Sequence, residues 1–280
     1  MEEGNRAMVD LQDEVAGIGI VGCGTIGSYV ARAIGDGKVP GANLVGLADL
    51  DLAKAEELAG SLPVEVPVLE TEEVIRRAEL VLEAAAGPAV PELIPLCQQH
   101  DADLMVMSVG GFALDETLVD QVRAGPIRVL IPSGAIAGLD ALRSAMSGRV
   151  DRVTLTTRKP PLGLAGAPHV SERQIDLSIL REETVIFSGP ARDAIKAFPK
   201  NVNVAVAVSL MGVGLDSTTV RVVCGPTLRS NVHELEVLGE FGKMTARTDN
   251  KPSEANPKTS ALAAFSAVAM IRKYLDRLIS

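Results

Sequence analysis

The sequence contains no tryptophan, and among its 280 residues there are only two tyrosines and five phenylalanines. Basic residues are in the minority, since 27 Lys and Arg stand against 36 Asp and Glu and leave a formal net charge of −9. Proteins that bind nucleic acid usually present a basic face and often stack aromatic side chains on bases. The composition therefore argues against a nucleic-acid partner. The composition does not exclude a small anionic ligand, because a few well-placed cations can line a pocket of an acidic protein.

Cysteine and long apolar runs are also scarce. Cys23, Cys97 and Cys224 are odd in number and far apart, which suits neither a disulfide framework nor the paired spacing of a zinc site. No run of about 18 uninterrupted apolar residues is present. The opening "MEEGNRAMVDLQDE" lacks the basic-then-apolar order of a signal peptide. We therefore expect a cytoplasmic protein without a metal site, a disulfide or a membrane partner.

Up to about residue 140, short apolar runs alternate with segments of helical periodicity. This alternation predicts an α/β fold with a doubly wound parallel sheet of the Rossmann type. The predicted strands are "AGIGIVG", "NLVGLAD", "AELVLEAA", "ADLMVMSV" and "IRVLIPSG". The predicted helices are "GSYVARAIGDG", "LAKAEELAGSL", "TEEVIRRA" and "VPELIPLCQQH".

After about residue 150 the apolar period changes to two, which predicts a second domain with an open mixed or antiparallel sheet, α+β in character. Its predicted strands are "RVTLTTRKPP", "ETVIFSG", "TTVRVVCG" and "VHELEVLGEFG". Asn201 is positioned to cap a helix over "NVNVAVAVSLMGVG", and Asn256 or Thr259 to start a long amphipathic helix. We predict a cofactor domain at 1–140, a substrate and dimerisation domain at 141–255, and a helix at 256–280 that packs back on the first domain.

Three glycines follow the first predicted strand, in "IVGCGTIGSY". In a dinucleotide-binding turn, Gly22 permits the tight turn, Gly24 lets backbone N–H groups approach a pyrophosphate, and Gly27 lets the helix pack closely on the sheet. Thr25 and Ile26 lie in the same turn, and the helix that continues from Ser28 has an N-terminus that favours phosphate. The arrangement predicts a dinucleotide site.

Asp49 stands at the end of the second predicted strand, where such sites carry an acidic residue for the adenosine ribose. A carboxylate there repels a 2′-phosphate, so NAD is favoured and NADP is the alternative cofactor. A glycine-rich turn beside a surface aspartate is the alternative interpretation, which the combination of strand, glycines, helix and aspartate disfavours.

Small residues end three further strands and leave room for a nicotinamide ring at the carboxyl edge of the sheet. They lie in "EAAAGP", "SVGGF" and "PSGAIAG", where we single out Glu83, Ala85, Ser108, Gly110, Ser133 and Ala135. Each segment alone is equally well explained as a turn.

Histidine is also scarce, with three residues in the sequence. His100 falls at a polar helix end and His169 in a predicted Pro- and Gly-rich loop. The period of two in "NVHELEVLG" places His233 on the apolar face with Leu235 and Val237. An ordinary pKa near 6.5 suits a histidine to proton transfer at neutral pH. The residues alone leave open whether His233 is a catalyst or a buried structural histidine.

Cations for an anionic substrate are best sought in "TTRKPP", because the prolines fix the backbone just after Arg158 and Lys159. Lys200, Lys243 and Lys258 are weaker candidates. Asn201 and Asn203, in "FPKNVNVAV", would present amides toward a ligand, although capping alone would explain one of them.

These segments together resemble the L-aspartate dehydrogenase family, in order and over nearly the whole chain. The resemblance rests on "GIVGCGTIG", "SVGGFAL", "PSGAIAGLDAL", "TTRKPP", "FPKNVNVAVAVSL", "NVHELEVLGEFG" and "NKPSEANPKTSALAAFS". It implies a Rossmann domain, an α/β catalytic domain and a homodimer. It also implies oxidation of L-aspartate by NAD or NADP to iminoaspartate, which hydrolyses to oxaloacetate and ammonia or feeds NAD biosynthesis; the reverse reaction is reductive amination.

Position by position, the resemblance places the catalytic histidine at His233 in "NVHE". It places nicotinamide contacts at Ala135 in "PSGA" and at Asn201 or Asn203 in "KNVNVA", and we assign Arg158, Lys159 and Ser133 to substrate. Two other functions stay open: a dehydrogenase or imine reductase for another substrate, because one fold hosts many chemistries, and a non-catalytic NAD-binding sensor.

Overall fold

Residues 15–199, 202–251 and 260–276 are described by the structure, a computed structural model. The acidic N-terminal segment, Asn201, and the two candidate starts of the last helix, Asn256 and Thr259, lie outside these ranges.

The five Val-, Ile- and Leu-rich runs of the first half form one parallel sheet, as predicted. Its strands are β1 (Ala16–Val21), β2 (Ala42–Ala48), β3 (Leu80–Glu83), β4 (Asp103–Val106) and β5 (Val129–Leu130). They lie in the order β2-β1-β3-β4-β5, with all neighbours parallel. The order reverses between β1 and β3, and in such sheets ligands bind beyond the carboxyl ends of the strands at that point.

Helices cover both faces of this sheet, which explains why its strands are apolar on both sides. They are α1 (Thr25–Gly35), α2 (Leu52–Ser61), α3 (Thr71–Arg77), α4 (Val90–Gln99) and α5 (Leu118–Ala124), with short 3₁₀ helices at Gly87–Ala89 and Val109–Ala113. A further helix, α6 (Leu139–Ala145), leads into the second half of the chain.

The second half forms a mixed five-stranded sheet in the order β10-β9-β6-β8-β7. Its strands are β6 (Val150–Lys159), β7 (Thr184–Pro190), β8 (Thr218–Cys224), β9 (Asn231–Gly239) and β10 (Gly242–Asn250). β6 and β8 are parallel and the other pairs are antiparallel. The sequence analysis missed β10, whose apolar side chains are too few to mark a strand.

The helices of the second half are α7 (Pro161–Leu164), α8 (Pro168–Glu172), α9 (Ala191–Ala197) and α10 (Val202–Met211). The predicted helix over "NVNVAVAVSLMGVG" is α10. The loop predicted around His169 is wrong, because this residue lies in α8, where Pro168 occupies the first helical position. The ring of His169 bonds the carbonyl of Ile186 through Nε2 and packs on Phe187 and Phe198.

The C-terminal helix, α11 (Ala261–Leu275), packs on the first sheet's helix layer rather than on the second sheet. Phe265 contacts Tyr29 of α1, and Tyr274 donates a hydrogen bond to Asp103. The helix ends at Leu275 because Asp276 has extended backbone angles. The prediction of one helix to residue 280 was therefore too long.

Two buried clusters form the core. One lies between the first sheet, α1 and α11. The other starts on the opposite face of the first sheet and continues without a break through α10 to the second sheet, where it includes Val153, Leu155 and Leu235. In the part of the chain that the structure describes, no helix is long and apolar enough to cross a bilayer.

Candidate active site

A cavity of about 290 Å³ opens between the carboxyl edge of the first sheet and the second sheet. Apolar walls come from Ile26 of α1, the end of β4 and Ala207 of α10. The polar residues that line it are Ser133, Lys159, Asn203, Asn231, His233 and Ser260. The fold thus brings together six of the residues singled out from sequence: Ile26, Ser133, Ala135, Lys159, Asn203 and His233. A cavity of this size fits a small substrate.

The glycine turn lies beside this cavity, between β1 and α1. Gly22 has φ +102°, and a Cβ there would lie 2.5 Å from the backbone of Ala84 and Ala85. A Cβ on Gly27 would lie 1.9 Å from the carbonyl oxygen of Gly22. These two glycines are therefore required by close packing within the protein.

Gly24 differs, because a Cβ built there meets nothing within 4 Å and its φ of −72° suits any residue. The packing of the described residues gives no reason for a glycine at this position. The N-terminus of α1, which begins at Thr25, has no acidic residue in its first turn and no side-chain cap. An open approach to an uncapped helix N-terminus suits a phosphate group.

Asp49 closes the turn from β2. Its carboxylate accepts hydrogen bonds from the backbone N–H groups of Cys23, at 2.7 Å, and Asp51, at 2.8 Å. Burial, together with the charge of Asp49, raises the pKa of the Cys23 thiol to about 11, so the thiol stays protonated. Asp49 is thus held in the place where an adenosine ribose is bound in dinucleotide-binding folds.

Glu83 ends β3 and is fully buried. Its two carboxylate oxygens accept hydrogen bonds from the N–H groups of Ala85, at 2.9 Å, and Ser108, at 2.8 Å. Burial raises the pKa of this carboxyl, and those hydrogen bonds oppose the rise. Because the N–H groups of Ala85 and Ser108 are already bonded, the two loops are fixed at the strand ends, with their N–H groups turned toward Glu83.

Asn203, near the start of α10, ties that helix to the loop after β4. Its Oδ1 accepts from the N–H of Gly110 at 2.9 Å, and its Nδ2 donates to the carbonyl of Met107 at 3.2 Å. The amide therefore has a structural role and also lines the cavity. Asn201, its competitor in the sequence analysis, lies outside the described residues.

The Ser133–Ala135 loop is held from two sides. The N–H of Gly134 donates to Oγ of Ser266 on α11 at 3.0 Å. The carbonyl of Ala135 accepts from Thr248 Oγ1 at 2.8 Å and from Asn250 Nδ2 at 2.9 Å, both on β10. The sequence analysis missed these three holding residues. In "KMTARTDN" a period of two places Thr248 and Asn250 on the same side as the apolar Met244 and Ala246, and this is a signal that could have found them.

His233 lies on β9, on the buried face that the pattern predicted, with Leu235 and Val237. Its Nδ1 lies 3.1 Å from Oγ1 of Thr157 on β6. Burial, with a smaller contribution from the charge of Lys159, lowers the pKa of the imidazole from 6.5 to about 4. The side chain is therefore neutral at pH 7 and has Nε2 left for the cavity.

Lys159 ends β6 and is the charged side chain that lines the cavity, as far as the described residues go. Burial lowers its pKa from 10.5 to about 8, so it remains mainly protonated at pH 7. Arg158, expected beside it, points to the opposite face of β6 because side chains alternate along a strand. There it pairs with Glu183 at 3.2 Å and with Glu234 at 3.5 Å. The structure therefore does not bring Arg158 to the cavity.

Within the described ranges, no three His, Cys, Asp or Glu side chains converge as metal ligands would. The three cysteines are free and buried. The polar groups that line the cavity are an imidazole, an ammonium group, amides and hydroxyls.

Comparisons with known proteins show the family of the chain. Residues 140–274 match the family described as "Aspartate dehydrogenase, C-terminal", and residues 22–130 match "Homoserine dehydrogenase, NAD binding domain". The chain is 47% identical to an L-aspartate dehydrogenase of Methanosarcina acetivorans and 46% identical to one of Methanosarcina barkeri. Each alignment covers 92% of this chain and 97% of the relative.

A crystal structure of aspartate dehydrogenase from Thermotoga maritima has the same fold, with a TM-score of 0.72 and 26% identity. The superposition covers 95% of this chain and 99% of that one. Coverage of this extent includes both halves of the chain. The chain therefore belongs to the L-aspartate dehydrogenase family of oxidoreductases.

Proposed function

We propose that this protein is an NAD(P)-dependent L-aspartate dehydrogenase. It oxidises L-aspartate to iminoaspartate, which hydrolyses to oxaloacetate and ammonia, or it runs the reverse reductive amination. The observation that carries the proposal is that His233 and Lys159, from neighbouring strands, line one cavity at the carboxyl edge of a dinucleotide-binding sheet. Absorbance of the reduced nicotinamide, followed with L-aspartate and with other amino acids, tests it.

The residues present fit a dinucleotide. Gly24 leaves open space over the N-terminus of α1, and Asp49 is fixed at the end of β2. We assign Gly22, Gly24, Thr25, Ile26, Gly27 and Asp49 to the adenosine and pyrophosphate end of this site. Ala85, Ser108, Gly110, Ala135 and Asn203 form the nicotinamide end. When bound, the nicotinamide ring accepts or supplies the hydride.

Substrate binding falls to Lys159 and Ser133. Aspartate carries two carboxylates, and an ammonium donor in a buried site makes a stronger hydrogen bond than a neutral donor would. Lys159 Nζ thus holds one carboxylate, and the hydroxyl of Ser133 supplies a second donor on the facing wall. The remaining apolar lining restricts water around the reacting carbon.

His233 is the general base of the reaction. The amine of aspartate must be neutral before C2 loses hydride, and Nε2 of a neutral imidazole accepts that proton. In the hydrolytic direction that proton is first released to solvent, and the same nitrogen then takes a proton from the water that attacks the imine. A carboxylate bound at Lys159 reduces the repulsion between the lysine and an imidazolium, so substrate binding raises the proton affinity of His233.

Exchange of Gly24 for alanine separates ligand binding from folding. We expect Gly24→Ala to unfold at the wild-type temperature, because its Cβ meets no protein atom, and to weaken NADH binding about 10-fold or more. Gly27→Ala is the matched control: its Cβ would meet the Gly22 carbonyl, and overpacking should cost about 1–3 kcal/mol of stability. Thermal unfolding and NADH fluorescence titration measure both effects. Unchanged NADH affinity in Gly24→Ala would remove this glycine from the site.

Asp49 supports a preference for NAD over NADP, because its carboxylate repels a 2′-phosphate. We expect Asp49→Asn, which keeps an oxygen acceptor for the Cys23 N–H, to improve the kcat/KM ratio for NADP over NAD about 10-fold. Asp36→Asn removes an exposed carboxylate of the same domain, paired with Lys38, and serves as the control. An unchanged ratio in Asp49→Asn would contradict this role.

The proposal also includes a homodimer in the cytoplasm and a supply of iminoaspartate to NAD biosynthesis. The molar mass in solution, measured by light scattering, tests the dimer.

A further inference from the structure

Thr157 lies directly opposite His233 in the antiparallel pairing of β6 with β9. Directly opposed residues of two strands project to the same face and approach closely. Here the two side chains meet, with Oγ1 of Thr157 3.1 Å from Nδ1 of His233. Each of the two residues is about 6% exposed, so water does not compete effectively for this hydrogen bond.

We propose that Thr157 is a positioning residue, which fixes the ring of His233 by accepting a hydrogen bond from Nδ1–H, both before and after Nε2 takes a proton from substrate. The inference rests on the proposed function for the identity of the reaction. His233 lines the cavity and Thr157 does not. The hydroxyl therefore acts through the imidazole and not on the substrate.

The chemistry of a hydroxyl suits this role. An imidazole whose Nε2 is to act as a base must carry its proton on Nδ1, and the protonated ring carries protons on both nitrogens. In both states Nδ1–H needs an acceptor, and a buried donor left without one costs free energy. Oγ1 of Thr157 provides that acceptor without adding the negative charge of a carboxylate.

None of the other groups named here around the imidazole accepts a hydrogen bond from Nδ1–H. Lys159 on β6 is cationic and opposes protonation of the ring. Asn231 on β9 and Asn203 on α10 line the cavity with neutral amides. Thr248, opposite His233 on β10, donates its hydroxyl to Ala135. No carboxylate lines the cavity among the described residues.

The side chains around Thr157 allow its hydroxyl to be replaced by a methyl group without loss of packing. The residue borders a small apolar pocket with Leu155, Phe198, Val220 and Val222. Valine has nearly the shape of threonine and would pack against these side chains. Thr157→Val should therefore fold, while Thr157→Ser keeps the hydroxyl and loses one methyl group.

The experiment compares these two variants as full-length enzymes. We expect Thr157→Val to lower kcat for L-aspartate about 10-fold or more, with NADH affinity and KM close to wild type. Thr157→Ser should recover most of the rate. With ¹⁵N-labelled histidine, NMR should show altered ring nitrogen shifts for His233 in Thr157→Val and not in Thr157→Ser, whereas His100 and His169 keep theirs.

Wild-type kcat in Thr157→Val, or unaltered His233 shifts, would overturn the positioning role. An equal loss of kcat in both variants would overturn it as well, because it would point to packing rather than to the hydroxyl. The NMR comparison also separates this inference from the proposed function. A protein that turns over no amino acid, yet shows the altered His233 shifts in Thr157→Val, would sustain the positioning and contradict the proposed function.

Discussion

Replacement of His233 by alanine is expected to lower kcat for L-aspartate by about 10²-fold or more, the usual contribution of a general base. NADH affinity should stay at the wild-type value, because the glycine turn and Asp49 belong to other elements. Stopped-flow or steady-state absorbance gives kcat, and NADH fluorescence gives the affinity.

His100→Ala is the matched control for this change. His100 follows α4 and contacts Glu72, away from the cavity, so its loss should leave kcat unaltered. Wild-type turnover in His233→Ala would remove this histidine from the mechanism and leave it a buried structural residue.

The pH profile of the wild-type enzyme offers a second readout of the same assignment. Burial and Lys159 lower the pKa of His233 to about 4 in the free protein, so the basic form persists down to that pH. Bound carboxylates favour the imidazolium and raise this pKa. The pH dependence of kcat reports pKa values in the enzyme–substrate complex, and that of kcat/KM reports those of the free enzyme. As the pH is lowered, kcat should therefore begin to fall at a higher pH than kcat/KM does.

Replacement of Lys159 by methionine should weaken carboxylate binding about 10- to 100-fold, the range expected for a buried hydrogen bond to a charged group. Succinate, as a competitive inhibitor, is the best probe because it has two carboxylates and no amine to titrate. Its inhibition constant with the wild type should increase above about pH 8, where Lys159 loses its proton. With Lys159→Met this pH dependence should disappear.

Arg158→Gln is the control, since it removes the neighbouring cation on the opposite face of β6. Succinate inhibition should keep its wild-type strength and pH dependence in this variant. If Arg158→Gln weakened succinate binding more than Lys159→Met, the substrate carboxylate would have to be assigned to Arg158 after all.

Local patterns predicted most of the fold. The strands of the first sheet, the glycine turn and the inward face of β9 depend on periodicity and on residues close in sequence, and the structure confirms them. Lys159 and His233 could be singled out one at a time for the same reason. Their common cavity depends on the pairing of β6 with β9, which a single sequence does not specify.

The missed features have a common physical cause. Thr157, Thr248 and Asn250 act through partners 76 to 115 residues away along the chain. Glu83 was singled out as the end of a strand, but the hydrogen bond that it accepts from the Ser108 N–H joins residues 25 positions apart. β10 has few apolar residues to mark it in the sequence, and it forms a strand by pairing with β9.

The prediction that Arg158 binds substrate has a different physical cause. Prolines after a strand say nothing about which face of the sheet the last residues of that strand occupy.

The measurement that tests the account most directly is the absorbance of reduced nicotinamide with purified protein, NAD and a panel of amino acids, then with NADH, oxaloacetate and ammonia. The account predicts turnover confined to L-aspartate and to the reverse reaction with oxaloacetate, and a turnover lower by about 10²-fold or more in His233→Ala. Faster turnover of another amino acid would contradict the assigned substrate. Cofactor binding without turnover of any of these compounds, with NAD or NADP, would contradict the enzyme and indicate a nucleotide sensor.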